Sequence, residues 1–124
     1  MKAALPALRK AKGRILFTSS GASMSGYHGW GAYGASKAAL NHLALTLSVE
    51  EPDVTSISVR PGVVDTEMQR DVREKHFETM QETDVAKFHT LHRDGKLLRP
   101  DQPGNVMAKL VLNGSNALSG KFLG

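Results

Sequence analysis

Apolar residues cluster in three short runs that predict strands. The run Arg14–Ser19 is nearly continuous in hydrophobic residues and lies between Gly13 and a serine- and glycine-rich stretch, which predicts a strand buried on both faces. Residues 55–59, before an Arg-Pro-Gly sequence, and residues 120–123 predict a second and a third strand.

Between these runs, apolar positions follow helical spacing. Small and apolar side chains recur every three to four residues from Gly31 to Val49, which predicts a long helix that ends at the sequence Glu-Glu-Pro-Asp. A first helix is predicted to end at Gly13, one or two charged surface helices within 66–93, and a last helix over 101–112. Strands that alternate with helices predict an α/β fold with a parallel sheet and right-handed crossovers.

Composition restricts the architecture and the compartment. The chain has 124 residues, 40% of them hydrophobic, and no cysteine, which predicts a single domain without disulfide or thiolate chemistry. The absence of cysteine fits a reducing compartment, and we expect a cytoplasmic protein. No apolar run approaches the ~18 residues of a membrane helix, so no membrane association is expected.

The positive charge is concentrated near the N-terminus. The formal net charge is +4, and the first 49 residues contain six basic residues and no acidic one. Nucleic-acid binding is not expected, because the basic residues lack interleaved aromatic residues and zinc-ligand spacing. Two interpretations of residues 1–14 stay open: a mitochondrial presequence, or a helix whose C-terminal cations complement the helix dipole.

Three residues could move a proton at neutral pH. Tyr33 and Lys37 are spaced i, i+4 on the long helix, so the ammonium can lie near the ring and favour the phenolate form. Ser20, at the end of the first strand, could hydrogen-bond the carbonyl oxygen that Tyr33 protonates. Each residue alone has an ordinary structural explanation, and only their order and their elements favour catalysis.

These motifs together resemble a known family. The sequences GRILFTSS at 13–20, YGASK at 33–37 and RPGVVDT at 60–66 are similar to the C-terminal half of a short-chain dehydrogenase/reductase. Residues 30–42 and 61–69 resemble, more narrowly, its fungal benzil reductase and sepiapterin reductase-like branch. The resemblance implies a partial Rossmann fold, a doubly wound parallel sheet of which this chain supplies the last three strands and their helices.

The resemblance also implies roles for particular residues. Tyr33 would be the general acid in the reduction of a ketone or diketone, Lys37 would assist it and hydrogen-bond the nicotinamide ribose, and Ser20 would orient the substrate carbonyl. The nicotinamide end of NADP, or of NAD, would be held by the segment that follows the second strand, at Pro61, Gly62, Val64 and Thr66. Residues 66–99 fall where the family places its substrate lid.

One part of the family pattern is missing from the sequence. No G-x-G-x-x-G or G-x-x-x-G-x-G motif occurs, so we expect residues 1–124 to form the C-terminal half of the domain without its dinucleotide-binding half. The first strand would then be an exposed apolar edge, for which a homo-oligomer or a complementing chain is expected as partner. The alternative to a reductase is a catalytically silent form that acts only as an interaction module.

Two further features of the sequence concern the surroundings of the site. His89 and His92, with His76 and Asp84 nearby, are more typical of a solvated helix than of a metal site, and no metal is expected. Trp30, the only tryptophan, either walls the substrate pocket or packs its loop onto the fold.

Overall fold

The chain folds around a three-stranded parallel sheet. A computed structural model describes all residues, 1–124. The strands are β1 (Arg14–Thr18), β2 (Thr55–Val59) and β3 (Phe122–Leu123), in the spatial order β1-β2-β3. Arg14 pairs with Thr55 and Thr18 with Val59, while Ser58 pairs with Phe122. The partial Rossmann-like α/β fold is confirmed.

Five α-helices accompany the three strands. They are α1 (Leu5–Ala11), α2 (Gly31–Glu50), α3 (Glu67–Glu74), α4 (Glu82–Arg93) and α5 (Asp101–Asn113). The predicted bounds of α2, β2 and α5 agree with these to within one residue. The charged stretch 66–93 divides into α3 and α4, joined by a single 3-10 turn at Phe77–Thr79.

The end of α1 differs from the prediction in one detail. Lys12 takes the left-handed conformation at the helix end, with φ of 46°, and the Gly13 N–H donates to the Leu8 carbonyl at 2.8 Å. Gly13 packs closely on Leu8, since a Cβ atom there would lie 2.7 Å from Leu8 Cδ2, at the end of a flexible side chain. The unusual backbone angle at the helix end is thus carried by lysine and not by glycine.

Burial is concentrated on the middle strand. All five residues of β2 are buried, whereas the residues of β1 are only half-buried or exposed, so the prediction of a first strand buried on both faces is wrong. The physical reason is position, because β1 pairs with β2 alone and its other edge has no neighbouring strand. An exposed apolar edge at β1 is what the family resemblance led us to expect.

The surface area of the whole chain agrees with this uneven burial. A folded monomer of 124 residues exposes about 6,500 Å² by the usual size scaling, whereas this chain exposes 7923 Å². Only 14 of the 124 residues are buried, which means that much of the apolar surface has no cover.

The sheet sets where functional groups can meet. In a parallel sheet the carboxyl ends of the strands share one edge, so the segments after β1 and β2 start side by side. The Ser19 N–H donates to the Val59 carbonyl at 2.7 Å and ties these two ends together. Helix α2 packs on the sheet through the buried Ala44 and Leu47. No helix of the chain has the length and apolarity that crossing a bilayer would require.

Candidate active site

Ser20 stands at the turn between β1 and the next segment. Its backbone is extended, and its Oγ accepts a hydrogen bond from the Ala22 N–H at 3.2 Å, which caps the 3-10 turn Gly21–Ser23. The side chain is half-buried. Because its hydroxyl proton is not used in that bond, Ser20 can still donate to a bound carbonyl oxygen.

Tyr33 and Lys37 lie on the first two turns of α2. The Lys37 Nζ is 5.6 Å from the centroid of the Tyr33 ring and donates to the Thr18 carbonyl, at the end of β1, at 2.9 Å. The Ser19 hydroxyl returns a hydrogen bond to the Lys37 carbonyl at 3.3 Å. The cation is thus fixed between the strand end and the phenol, at the spacing that the sequence predicts.

Gly34 allows the serine turn to approach this helix. A Cβ atom at Gly34 would lie 2.8 Å from the Ala22 carbonyl oxygen, closer than a side chain tolerates. The glycine that follows Tyr33 therefore brings the turn after Ser20 directly against α2, and the two halves of the site are held together by backbone contact.

The Pro61–Thr66 segment pairs with Leu98 through one isolated β-bridge. Leu98 bridges to Val64 in parallel: the Leu98 N–H donates to the Val63 carbonyl at 2.9 Å, and the Asp65 N–H donates to the Leu98 carbonyl at 2.8 Å. In this pattern the N–H and C=O of Val64 face away from Leu98. The Val64 N–H has no hydrogen-bond partner in the protein.

Gly62 and Thr66 shape the two ends of that segment. Gly62 has φ of +87°, and a Cβ there would lie 2.8 Å from Leu98 Cδ1. Thr66 caps α3, its Oγ1 accepting from the Gln69 N–H and donating to the Val64 carbonyl, both at 3.4 Å. Bonds of that length are weak, so the hydroxyl is available to a stronger partner.

An aromatic cluster that the sequence did not reveal borders Tyr33. The Trp30 ring lies edge-on to Tyr33 with centroids 5.6 Å apart, and nearly parallel to Phe88 of α4 at 5.9 Å. Tyr27 contacts Trp30 at 5.2 Å and Phe88 at 6.4 Å. Trp30 therefore makes contacts of both kinds considered for it: it borders the tyrosine and it packs its loop onto α4.

Two polar contacts join the same loop to residues 77–88. His28 Nδ1 lies 2.8 Å from the Thr79 carbonyl, and Lys87 Nζ donates to the Tyr27 hydroxyl at 3.2 Å. Gly29 makes the first contact possible, because it has φ of +80° and a Cβ there would be 2.6 Å from the Thr79 carbonyl. The Tyr27–Trp30 loop and residues 77–88 thus form one wall. Only the clustering of aromatic residues at Tyr27, Trp30 and Tyr33 could have indicated it.

The histidines of α4 and its surroundings lie apart from one another and face solvent. His76, His89 and His92 are all exposed, and no three or more histidine, cysteine, aspartate or glutamate side chains converge on one point.

The sequence matches the model of a known protein family. The family model described as short chain dehydrogenase matches residues 1–76, which is more than half of the chain. The chain belongs to the short-chain dehydrogenase/reductase family. The predicted family is confirmed, and the matched residues 1–76 include Ser20, Tyr33 and Lys37.

Individual relatives show to which branch of the family the chain is most similar. The chain is 45% identical over 125 residues to a benzil reductase ((S)-benzoin forming) of Saccharomyces cerevisiae, with 96% of this chain and 48% of the relative aligned. It is 40% identical over 85 residues to the sepiapterin reductase of Bos taurus, covering 68% of this chain and 30% of that protein. The predicted branch of this dehydrogenase/reductase family is confirmed.

Solved structures agree on the fold. The crystal structure of the KRED1-Pglu enzyme superimposes with a TM-score of 0.95 at 45% identity, covering 98% of this chain and 51% of that one. The chain spans about half the length of the curated and solved short-chain dehydrogenase/reductase relatives it matches.

Proposed function

We propose that this chain supplies the catalytic half of a nicotinamide-dependent carbonyl reductase acting on a ketone or diketone. The observation that carries the proposal is the position of Lys37, whose Nζ is fixed to the Thr18 carbonyl at 2.9 Å while lying 5.6 Å from the Tyr33 ring centroid. A cation in that place stabilises negative charge on the phenol oxygen as its proton leaves.

Each residue of the site then has a separate task. Tyr33 gives its hydroxyl proton to the substrate oxygen, which acquires negative charge as the carbonyl is reduced. Ser20 donates a hydrogen bond to the same oxygen and orients the carbonyl. Lys37 holds the phenol in its reactive environment and, as in the family, would hydrogen-bond the nicotinamide ribose.

The segment after β2 suits the nicotinamide end of the cofactor. A carboxamide carries one acceptor and two donors, and the unpartnered Val64 N–H together with the outward Val64 carbonyl offers the complementary pair. Pro61 and Gly62 set the turn, and Thr66 adds a hydroxyl. When bound there, the cofactor supplies the hydride that reduces the substrate carbon.

NADP(H) is the preferred form in this proposal, and NAD(H) is the alternative. Parallel titrations of the chain with NADPH and NADH, followed by the quenching of Trp30 fluorescence, measure the preference. Tighter binding of NADH would reverse this part of the proposal.

The aromatic wall supports an aromatic or otherwise flat substrate. Trp30 presents its edge to Tyr33, and Tyr27 and Phe88 extend the apolar surface away from it. Benzil is therefore a suitable probe, and two relatives at 45% and 36% identity are named as benzil reductases. The comparisons give no support to the catalytically silent alternative.

We also propose that the chain forms the C-terminal half of the family's domain and binds a partner polypeptide, either a complementing chain or a second copy. The support is the free edge of β1 and an excess of about 1,400 Å² over the surface expected for this length. A typical stable interface takes about 800 Å² from each partner. The partner is expected to cover β1.

The decisive experiment compares the only two tyrosines. The purified chain, alone and with its co-purifying partner, is mixed with NADPH and benzil, and cofactor absorbance is followed. Tyr33→Phe should abolish the loss of absorbance, a fall of 100-fold or more on the scale of general acid catalysis. Tyr27→Phe, which keeps the ring and removes only the hydroxyl bonded to Lys87, should retain most activity. Equal activity in the Tyr33→Phe and unmodified chains would refute the proposal.

A further inference from the structure

A short hydrogen-bonded relay connects the helix of Tyr33 and Lys37 to the backbone of Ser20. The Asn41 Nδ2 donates to the Ser23 Oγ at 2.8 Å, and the Ser23 Oγ donates to the Ser20 carbonyl at 2.6 Å. Asn41 lies one helical turn after Lys37, so Tyr33, Lys37 and Asn41 form a line along one face of α2.

The direction of the relay follows from the number of protons available. A serine hydroxyl has one proton, and at 2.6 Å the Ser23 proton is committed to the Ser20 carbonyl. Ser23 can therefore only accept from Asn41, which requires the amide nitrogen of Asn41 to face it. The Asn41 Oδ1, on the other side, is buried and has no hydrogen-bond partner.

That orphan oxygen makes the asparagine costly for stability alone. A buried acceptor without a partner destabilises a fold, and an apolar residue of similar shape would avoid the penalty. The side chain is therefore better explained by what its donor holds in place than by a contribution to folding. What it holds is the turn that carries Ser20.

We propose that Asn41 and Ser23 are positioning residues that fix Ser20 relative to Tyr33. This inference rests on the proposed function, since it assigns the relay to the group that orients the substrate carbonyl. Lys37 fastens the end of β1 to α2, and the relay fastens the next turn to the same helix face. Ser20 lies between these two attachments.

The first test measures the turn itself and needs no catalysis. Amide hydrogen exchange of Ala22 and Ser23, whose N–H groups bond to Ser20, is followed by NMR in the full chain. Ser23→Ala and Asn41→Leu should accelerate exchange at both amides by about fivefold or more, the factor for one net hydrogen bond. Ser23→Thr keeps the hydroxyl and should restore slow exchange. Ser48→Ala removes a hydroxyl from the same helix, bonded only to Leu45, and should change neither amide.

A purely structural role of Asn41 would give a different combination of melting temperature and exchange rates. If Asn41 served folding alone, Asn41→Leu would lower the melting temperature without a selective effect at Ala22 and Ser23. The positioning role predicts the opposite, with unchanged or higher thermal stability and faster local exchange. Unchanged exchange in both Ser23→Ala and Asn41→Leu would overturn the relay.

The second test uses the benzil assay in the preparation that is active. Asn41→Leu should lower kcat about tenfold, with the pH profile of the reaction unmoved because Tyr33 and Lys37 are intact. Faster exchange with unchanged kcat would overturn the link to catalysis. A wild-type chain without any activity would count against the proposed function, while the exchange measurements would still decide whether the relay exists.

Discussion

At the scale of single residues, the site depends on a few side chains that each do more than one thing. The Lys37 ammonium lies near the Tyr33 ring and donates a hydrogen bond to the Thr18 carbonyl at the end of β1, and the Lys37 carbonyl accepts a hydrogen bond from the Ser19 hydroxyl. Such a residue cannot be replaced by another cation of different shape without changing both its electrostatic effect and its attachment.

Removing the ammonium group tests the role of Lys37. Lys37→Met keeps the apolar stem but removes the cation together with its hydrogen bond to the Thr18 carbonyl, so we expect activity to fall by 100-fold or more, because Tyr33 loses its stabilising charge. Lys109→Met, on the exposed face of α5, is the control and should leave activity unchanged. Comparable rates for the two variants would contradict the role of Lys37.

Replacement of Gly62 is predicted to be costly, chiefly because of its backbone conformation. Gly62→Ala should destabilise the fold by more than about 1 kcal/mol, because alanine disfavours φ of +87° and its Cβ would overlap Leu98. The matched control is Gly104→Ala in α5, where a Cβ meets nothing within 4 Å and stability should rise by up to about 1 kcal/mol. Urea unfolding of the two variants gives opposite shifts if the argument holds.

Particular residues show which features of the fold and the site can be predicted from the sequence. The bounds of β2 and α2 could be predicted because apolar periodicity and turn residues are local signals. The stacking of Trp30 on Phe88 could not, since it joins residues far apart in sequence whose pattern carries no mark of the contact. The hydrogen bonds that connect Asn41 through Ser23 to Ser20 could not be predicted from the sequence for the same reason. The half-buried state of β1 could not be predicted from its own residues, because it depends on whether a second strand pairs with its other edge.

At the scale of elements, α4 is attached to the loop before α2 mainly through one aromatic contact surface. Phe88 is 5% exposed and is the residue of α4 that touches both Trp30 and Tyr27. Helix α4 therefore depends on this side chain to stay against the loop before α2. The rest of the attachment consists of the His28–Thr79 and Lys87–Tyr27 hydrogen bonds.

Removing that side chain should release α4 while leaving the sheet intact. Phe88→Ala is expected to raise the KM for benzil and to shift the fluorescence of Trp30 to longer wavelength, because the indole loses its stacking partner and meets water. Phe77→Ala, at a ring that is 44% exposed, is the control and should leave the emission maximum in place. An unshifted emission in Phe88→Ala would show that another residue holds the helix.

At the scale of the whole molecule, one ion pair connects distant parts of the chain. Arg9 of α1 makes two hydrogen bonds to Glu51, just after α2, at 2.7 and 2.5 Å. Its guanidinium lowers the pKa of the Glu51 carboxyl below the usual value, first through hydrogen bonding. The pair thereby ties the first helix to the end of the longest one.

This pair should make stability depend on pH in one direction. Because the folded pKa of Glu51 is depressed, its contribution is present above the unfolded value, about 4.3, and is lost as pH falls through the folded value. Glu51→Gln should therefore lower stability at pH 7 and flatten the loss of stability below about pH 5. Glu50→Gln removes a neighbouring exposed carboxylate that makes no such bond and should keep the wild-type pH profile. Thermal melts from pH 3 to 7 measure both.

The bare edge of β1 has a consequence for the behaviour of the purified chain in solution. An uncovered strand edge presents unpaired N–H and C=O groups, to which another strand can add. Copies of the purified chain are therefore expected to associate edge to edge as their concentration rises, and a strand-forming peptide that covers β1 should suppress that association.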